Sequence, residues 1–249
     1  MNFLPFGTVY GTLLNFRREL DAWQDRAQQP PYKAPPQAPV LYVKTANTWS
    51  PHGQPIAVPA SVPQVEIGAT VGLVMGAANT VGQVVLMNDL SVPHASFFRP
   101  PVKFKCLDGF LGIGAQAVAL ASVADLSALR LTVKVNGAVV QEVDFAQLVR
   151  SPSQLVADVS AFMTLRAGDV LTVGCDVLAS GLRPLAAMGD RIDIDAATVH
   201  VPGNHLMTQL LGERDEWLDL VESAFDGTRI VARGNEIRIA GQHAAAVVQ

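Results

Sequence analysis

Cysteine is scarce in this chain. Only Cys106 and Cys175 occur in 249 residues. Two thiols cannot build a disulfide framework, and a reducing compartment is the expectation. Charge is also sparse, at 16% of residues, with 18 Lys plus Arg against 22 Asp plus Glu and a net charge of −4. The absence of a basic excess argues against a general nucleic-acid binder. No stretch is clean enough to span a membrane. The longest uncharged run, residues 67–88, carries Gly68, Gly72, Gly76, Gly82, Asn79 and Gln83, too much glycine and polarity for a spanning helix. The opening M-N-F-L-P-F-G-T-V-Y-G has no basic residue before its apolar part, and Arg17-Arg18 follow it, the reverse of a secretory signal. These absences together give a cytoplasmic, membrane-free chain as the expectation. No G-x-S-x-G elbow is present, so serine-type hydrolysis has no support. Neither cysteine has a C-x-x-C partner, and no internal repeat occurs.

Apolar residues make up 49% of the chain, enough for a substantial core. Residues 6–16 alternate loosely, like a short strand. Residues 17–28 suit an amphipathic helix with Leu20 and Trp23 three apart. Pro30, Pro31, Pro35, Pro36 and Pro39 forbid helix and mark an extended loop. V-L-Y-V-K at 40–44, Val71 to Met75 and Gln83 to Met87 are strand candidates. Residues 129–135 alternate, and Asn136-Gly137 before A-V-V-Q-E-V is a strong hairpin signal. Residues 151–164 form the clearest helix, with Ser151 at the N-cap, Pro152 at the first helical position, and Leu155, Val159 and Phe162 on one face. R-A-G-D and Gly189-Asp190 are turns. After residue 198 come a strand and turn, a helix around 213–225, and two short strands, R-I-V-A-R and E-I-R-I-A, flanking Gly234-Asn235. Composition shifts there too: residues 199–249 hold 4 Lys/Arg and 7 Asp/Glu, net −3.

Gly112-Ile113-Gly114-Ala115-Gln116-Ala117 matches G-x-G-x-x-A, but no strand–helix context surrounds it and Asp125 comes too early for the ribose acid, so a glycine turn is the expected reading. His94, His200 and His205 have no common zinc spacing and read as surface or loop residues. The informative stretch is residues 83–114. Asn88-Asp89 ends an apolar strand, placing a carboxylate where hard cations are often held. Lys103 and Lys105 share one face of a short extended run, Asp108 follows, and Arg99 sits between Phe98 and Pro100. This set suits an anionic substrate held near a cation; it suits a solvated polar loop equally.

N-D-L-S-V-P-H-A-S-F-F-R-P-P-V-K-F-K-C-L-D-G-F resembles the fumarylacetoacetate hydrolase superfamily. It is most similar to the N-terminal half or subunit of the homoprotocatechuate (4-hydroxyphenylacetate) pathway bifunctional isomerase/decarboxylase. L-N-F-R-R-E-L-D-A-W-Q-D, P-P-Y-K-A-P-P, A-N-T and V-E-I-G-A-T-V-G-L-V-M-G agree in order, and the resemblance covers about residues 5–195. It implies an α+β, mainly β fold: fumarylacetoacetase-like packed antiparallel β-structure with a few helices. It implies a Mg²⁺ or Mn²⁺ ion acting as a Lewis acid on a 2-oxo di- or tricarboxylate from aromatic ring cleavage, with decarboxylation or double-bond migration following. Asp89 matches the family's metal-binding Asp, and Lys105 and Asp108 match the K-x-x-D that follows, as candidate catalytic residues. Arg99 and Lys103 are the candidate substrate contacts. The family's Glu-x-Glu pair falls on Gly68 and Thr70, which supply no carboxylate. Glu19 stands in the lid-His position, and Cys175 replaces the Thr of the late G-T-P. Glu66, on the same strand face, lies one residue pair too early, about 6.6 Å away. Metal binding is therefore expected to be weak or absent, and glutamates placed at 68 and 70 to strengthen it if the register is as read.

Residues 198–241 resemble the N-terminal, KH-like module of PhoH-family proteins. Net negative charge and the lack of a G-x-x-G clamp argue against an RNA role there. The expected organisation is a fumarylacetoacetate hydrolase-like domain over 1–197 and a small KH-like C-terminal module of helix and strands over 198–249. Three functions follow, in order of specificity: a subunit of a metal-assisted decarboxylase/isomerase, a catalytically silent half that supports a complete partner, and an RNA-associated adaptor. The expected partners are a small anionic substrate and a second chain, as a homodimer or as a heterodimer with a C-terminal-type subunit.

Overall fold

A computed structural model describes residues 2–77, 79–96, 101–123, 126–197, 229–233 and 236–240. In chain order the elements are β1 (Val9–Leu13), α1 (Arg17–Ala27), β2 (Val40–Lys44), β3 (Trp49–Pro51), β4 (Gln64–Glu66), β5 (Ala69–Met75), β6 (Val81–Asp89), α2 (Val102–Lys105), β7 (Leu111–Ile113), β8 (Val118–Ala119), β9 (Arg130–Val135), β10 (Ala138–Asp144), α3 (Pro152–Ser160), β11 (Val170–Thr172), β12 (Leu185–Ala187), β13 (Ile192–Ala197), β14 (Arg229–Arg233) and β15 (Glu236–Ala240). The chain divides into two compact units, Met1–Ala196 and Ala197–Gln249.

The first unit is organised by an eight-stranded sheet in the order β2-β1-β11-β5-β6-β7-β3, with β8 alongside β6. Two pairings, β1 with β11 and β3 with β7, are parallel, and the rest are antiparallel. Every residue of β5 is buried, as a strand covered on both faces must be. Its side chains alternate between two cores. Val71, Leu73 and Met75 join the large core containing Phe16, Phe110, Leu131, Phe145 and Leu155, while Val74 joins Val85, Met87, Ile113 and Val170 behind the sheet. β6 follows the same period of two, which is the geometric reason an apolar run can serve both layers. The alternating run 129–135 becomes β9, and the turn to β10 holds Asn136 at φ 51° and Gly137 at φ 84°, the left-handed pair that two-residue hairpins need. β9 lies between β10 and β13, and β4 pairs with β12.

The expected helices form at α1 and α3. Ser151 caps α3 by accepting a hydrogen bond from Gln154 N at 3.2 Å. Leu155 and Val159 are buried, but the helix ends at Ser160, and Phe162, beyond it, is 65% exposed. Gly112 lies within β7 with β8 next in the chain, so the G-x-G-x-x-A segment opens no helix and carries no dinucleotide geometry. In the second unit the two short strands pair antiparallel. The expected strand at 198 and helix around 213–225 lie outside the described residues, as do His200 and His205. Among the described residues no helix is long and apolar enough to cross a membrane.

Candidate functional site

Asp89 closes β6, and its carboxylate is 1% exposed. Charged and polar groups converge on it from elements far apart in sequence. β2 presents Tyr42 and Lys44 on one face, since they are two residues apart. Tyr42 pairs across with Gly11 of β1, and a Cβ on Gly11 would collide with the Tyr42 ring. The bare glycine therefore lets the ring lie flat across β1, and its hydroxyl donates to Asp89 Oδ2. Lys44 Nζ is 2.8 Å from Asp89 Oδ1, while its hydrogens reach the carbonyls of Leu90 at 3.0 Å, Lys105 at 2.5 Å and Phe110 at 2.8 Å. This ammonium ties together the end of β6, the end of α2 and the entry to β7. Lys105 Nζ donates to Asp89 Oδ2 at 2.6 Å and lies 4.6 Å above the Tyr42 ring.

Arg183 enters from the segment before β12. The pairing of β12 with β4, and the hydrogen bond from Ile67 N to Pro184 O at 2.8 Å, bring this segment beside the β5–β6 ends. Its guanidinium is 6% exposed, with Nη1 3.7 Å from Asp89 Oδ2 and Nη2 3.5 Å from Glu19 Oε1. Glu19 is buried on α1 and accepts from Leu14 N at 2.6 Å. That contact holds Leu14 at φ 59°, a conformation uncommon for a branched side chain. Burial pushes the Glu19 carboxyl up against the pull of Arg183. Glu66, partly buried, is also raised by desolvation, and Arg183 is the strongest charge opposing that rise. Burial pushes the Asp89 carboxyl up, but Lys105, then Lys44 and Arg183, outweigh it and hold the group well below the usual carboxylate range. Burial lowers the Lys105 ammonium, and Asp89 resists that change. The Cys175 thiol is pushed by burial up to about 11.

This residue set does not fit a divalent ion bound in the family manner. Mg²⁺ and similar hard cations need several oxygen ligands at about 2.0–2.6 Å. The two strand positions at which the resemblance leads one to expect carboxylates hold Gly68 and Thr70. Thr70 is fully buried and donates its hydroxyl to Gly174 O at 2.6 Å. A Cβ on Gly68 would overlap the Asp89 carbonyl oxygen and lie 3.0 Å from Cys175 Sγ. This corrects the expectation that glutamates at 68 and 70 would simply restore a site: the backbone of β6 already fills the first of those places. The strand also breaks between Glu66, the last residue of β4, and Ala69, the first of β5. Glu66 therefore does not continue the β5 face. Among the described residues no group of three or more His, Cys, Asp or Glu is arranged to hold a metal.

The structure brings together two of the five residues singled out from sequence, Asp89 and Lys105. Asp108 is exposed and accepts from Asn47 Nδ2 at 2.6 Å, so it does not join them. Lys103 is exposed beside the Phe104 ring, with Nζ 6.0 Å from its centroid. The expectation that Lys103 and Lys105 share one face of an extended run is wrong. Lys105 N bonds to Pro101 O at 2.8 Å and Cys106 N to Val102 O at 2.9 Å, making a helical turn that sends the two lysines apart. Arg99 lies outside the described residues. His94 is half-buried and stacked on Phe104 at 4.8 Å, with Nδ1 2.9 Å from Val92 O. Sequence reasoning missed Tyr42, Lys44 and Arg183. The first two were visible only as a strand of alternating character, and Arg183 carried no local signal.

Residues 8–207 match the fumarylacetoacetate (FAA) hydrolase C-terminal family. The 4-hydroxyphenylacetate degradation bifunctional isomerase/decarboxylase of Salmonella dublin is 38% identical over 198 residues, which is 76% of this chain and 44% of that protein. The chain thus spans less than half the length of this relative. Among solved structures, a fumarylacetoacetate hydrolase family protein from Yersinia pestis superposes with a TM-score of 0.63 at 20% identity, covering 77% of this chain and 89% of that one. Fumarylpyruvate hydrolase from Pseudomonas aeruginosa, in complex with Mn²⁺ and pyruvate, superposes at 0.60 with 18% identity over 76% of this chain and 84% of that one. These likenesses establish the fold as fumarylacetoacetase-like. The chain belongs to the fumarylacetoacetate hydrolase family.

Proposed function

We propose that this chain is a catalytically silent half of a divalent-metal-assisted decarboxylase/isomerase, paired with a complete C-terminal-type subunit whose active site it supports. The substrate class is a 2-oxo di- or tricarboxylate from aromatic ring cleavage, of the 5-carboxymethyl-2-oxo-hex-3-ene-1,7-dioate and 2-hydroxyhepta-2,4-diene-1,7-dioate type. One observation carries the reading. The Asp89 carboxylate is bracketed by Lys44, Lys105 and the Tyr42 hydroxyl, while the strand positions that would complete a metal shell are Gly68 and Thr70. The 38% identity to a bifunctional isomerase/decarboxylase supports the pathway assignment. In the competing reading, an active metal-assisted subunit, Lys105 and Asp108 work together; the Asn47 bond that keeps Asp108 at the surface speaks against it.

The test is to purify the chain alone and together with a C-terminal-type subunit, and to follow decarboxylation with Mg²⁺ or Mn²⁺ present. The expected outcome is no turnover by the chain alone, a stable complex by light scattering, and turnover by the complex that survives Asp89→Asn at a temperature where circular dichroism shows the variant folded. A clean monomer at micromolar concentration in both preparations would end the pairing claim. Turnover by the chain alone, abolished by Asp89→Asn, would establish the competing reading.

A further inference from the structure

The pocket contains a cation of its own. Arg183 lies between two acids, with Nη1 3.7 Å from Asp89 Oδ2 and Nη2 3.5 Å from Glu19 Oε1. Its two terminal nitrogens are buried, and neither makes a hydrogen bond among the described residues. The guanidinium is thus held by surrounding charge rather than by a fitted bidentate clamp, which would require shorter, in-line contacts. Lys44 is spent on three carbonyls and Asp89, and Lys105 on Asp89. The remaining acid of the pocket, Glu19, has Arg183 as its ion-pair partner.

We propose that Arg183 is a resident cation that takes the place of a divalent ion in this pocket, so that Asp89 and Glu19 are held together without metal. Three basic groups, Lys44, Lys105 and Arg183, already face the two acids Asp89 and Glu19. A divalent ion added to that set would be uncompensated, and burying uncompensated charge is costly. Removing the guanidinium leaves Glu19 without its ion-pair partner. The inference deepens the silent-half reading by naming what fills the place of the metal. Arg183 is a positioning residue here, acting on the acids and on no reacting atom.

The experiment compares the full chain with Arg183→Met and Arg183→Lys, measuring melting temperature and Mn²⁺ binding by electron paramagnetic resonance, with Mn²⁺ alone as the probe. For the unmodified chain we expect less than about 1 °C of change between EDTA and 1 mM Mn²⁺, and no stoichiometric binding below about 1 mM. Arg183→Met should melt several degrees lower in EDTA and regain part of that loss in 1 mM Mn²⁺. Arg183→Lys keeps a cation and should remain indifferent to Mn²⁺. If Arg183→Met is recovered folded only when Mn²⁺ is supplied, the proposal stands; if it is recovered in neither condition, a metal-responsive Arg183→Lys would overturn the proposal and an indifferent one would support it. Stoichiometric Mn²⁺ binding by the unmodified chain below about 100 µM would overturn this proposal and the silent-half reading together. An unmodified chain and an Arg183→Met chain that both ignore Mn²⁺ would sink the Arg183 assignment alone.

Discussion

The Asp89 pocket and the β9–β10–β13 sheet both hold short ion pairs, and the two sets serve different ends. In the sheet, Arg130 lies 2.8 Å from Asp144 and Lys134 2.9 Å from Asp195, with side chains 28–61% exposed. In the pocket, Lys105 and Lys44 lie 2.6 and 2.8 Å from Asp89, with side chains 0–1% exposed. Distance barely separates them; burial does. Water screens the sheet pairs whether or not they are made, so each contributes about 0.2–1 kcal/mol. Water cannot replace a missing partner in the pocket, so removing one group leaves a buried charge uncompensated. The pocket is therefore a place where charge count is fixed, and the sheet a place where it is free to vary.

The largest expected difference follows directly. Asp89→Asn keeps the side-chain shape but leaves Lys44 and Lys105 facing a neutral group, and should cost about 3–5 kcal/mol by denaturant unfolding. Asp144→Asn, at an ion pair of equal length to that of Lys44, should cost less than about 1 kcal/mol. Equal losses at the two sites would erase the distinction between them.

Acidity sharpens the same comparison. The Asp89 carboxyl is held below its ordinary range in the folded chain, so the native state binds fewer protons there than the unfolded state. Its contribution is fully present above the unfolded carboxylate value of about 3.9 and is lost as pH falls below it. The stability gap between the unmodified chain and Asp89→Asn should stay flat from about pH 6 to 8 and shrink below about pH 4. A gap that grows on acidification would reverse the assigned sign.

The smallest effect is a rate rather than a stability. Cys175 is 1% exposed beside Gly68, and its thiol is pushed up to about 11. At pH 8 about one in a thousand of these groups is thiolate, the reactive form. Cys106 is partly exposed near the surface. Alkylation of the folded chain should label Cys106 first, and Cys175 only on unfolding. Simultaneous labelling of both would show that the pocket opens on the timescale of the reaction.

Much of the fold is legible in the residues alone. Period-two alternation marks β9, Asn-Gly its hairpin, and Ser-Pro the start of α3, because each is a local rule satisfied by adjacent residues. Asp89 and Lys105 stand out through a contiguous motif. The extended reading of 102–105 fails because two backbone hydrogen bonds to Pro101 and Val102, not side-chain pattern, decide a single helical turn. The restoring power of glutamates at 68 and 70 is overread because sequence register carries no information about the Asp89 carbonyl lying against Gly68.

The sequence by itself determined β2, the centres of β5 and β6, the β9–β10 hairpin at Asn136-Gly137 and the start of α3, since these depend on neighbours along the chain, whereas β3, β4, β7, β8 and β12 carried no such signal. Only the tertiary structure decided that Tyr42, Lys44 and Arg183 meet at Asp89, with Glu19 on the far side of Arg183. They arrive from β2, the segment before β12, and α1, and what joins them is the strand pairing of β1 with β2 and of β4 with β12. Burial then gives those charges their energetic weight, because the same groups exposed to water would be nearly indifferent to one another.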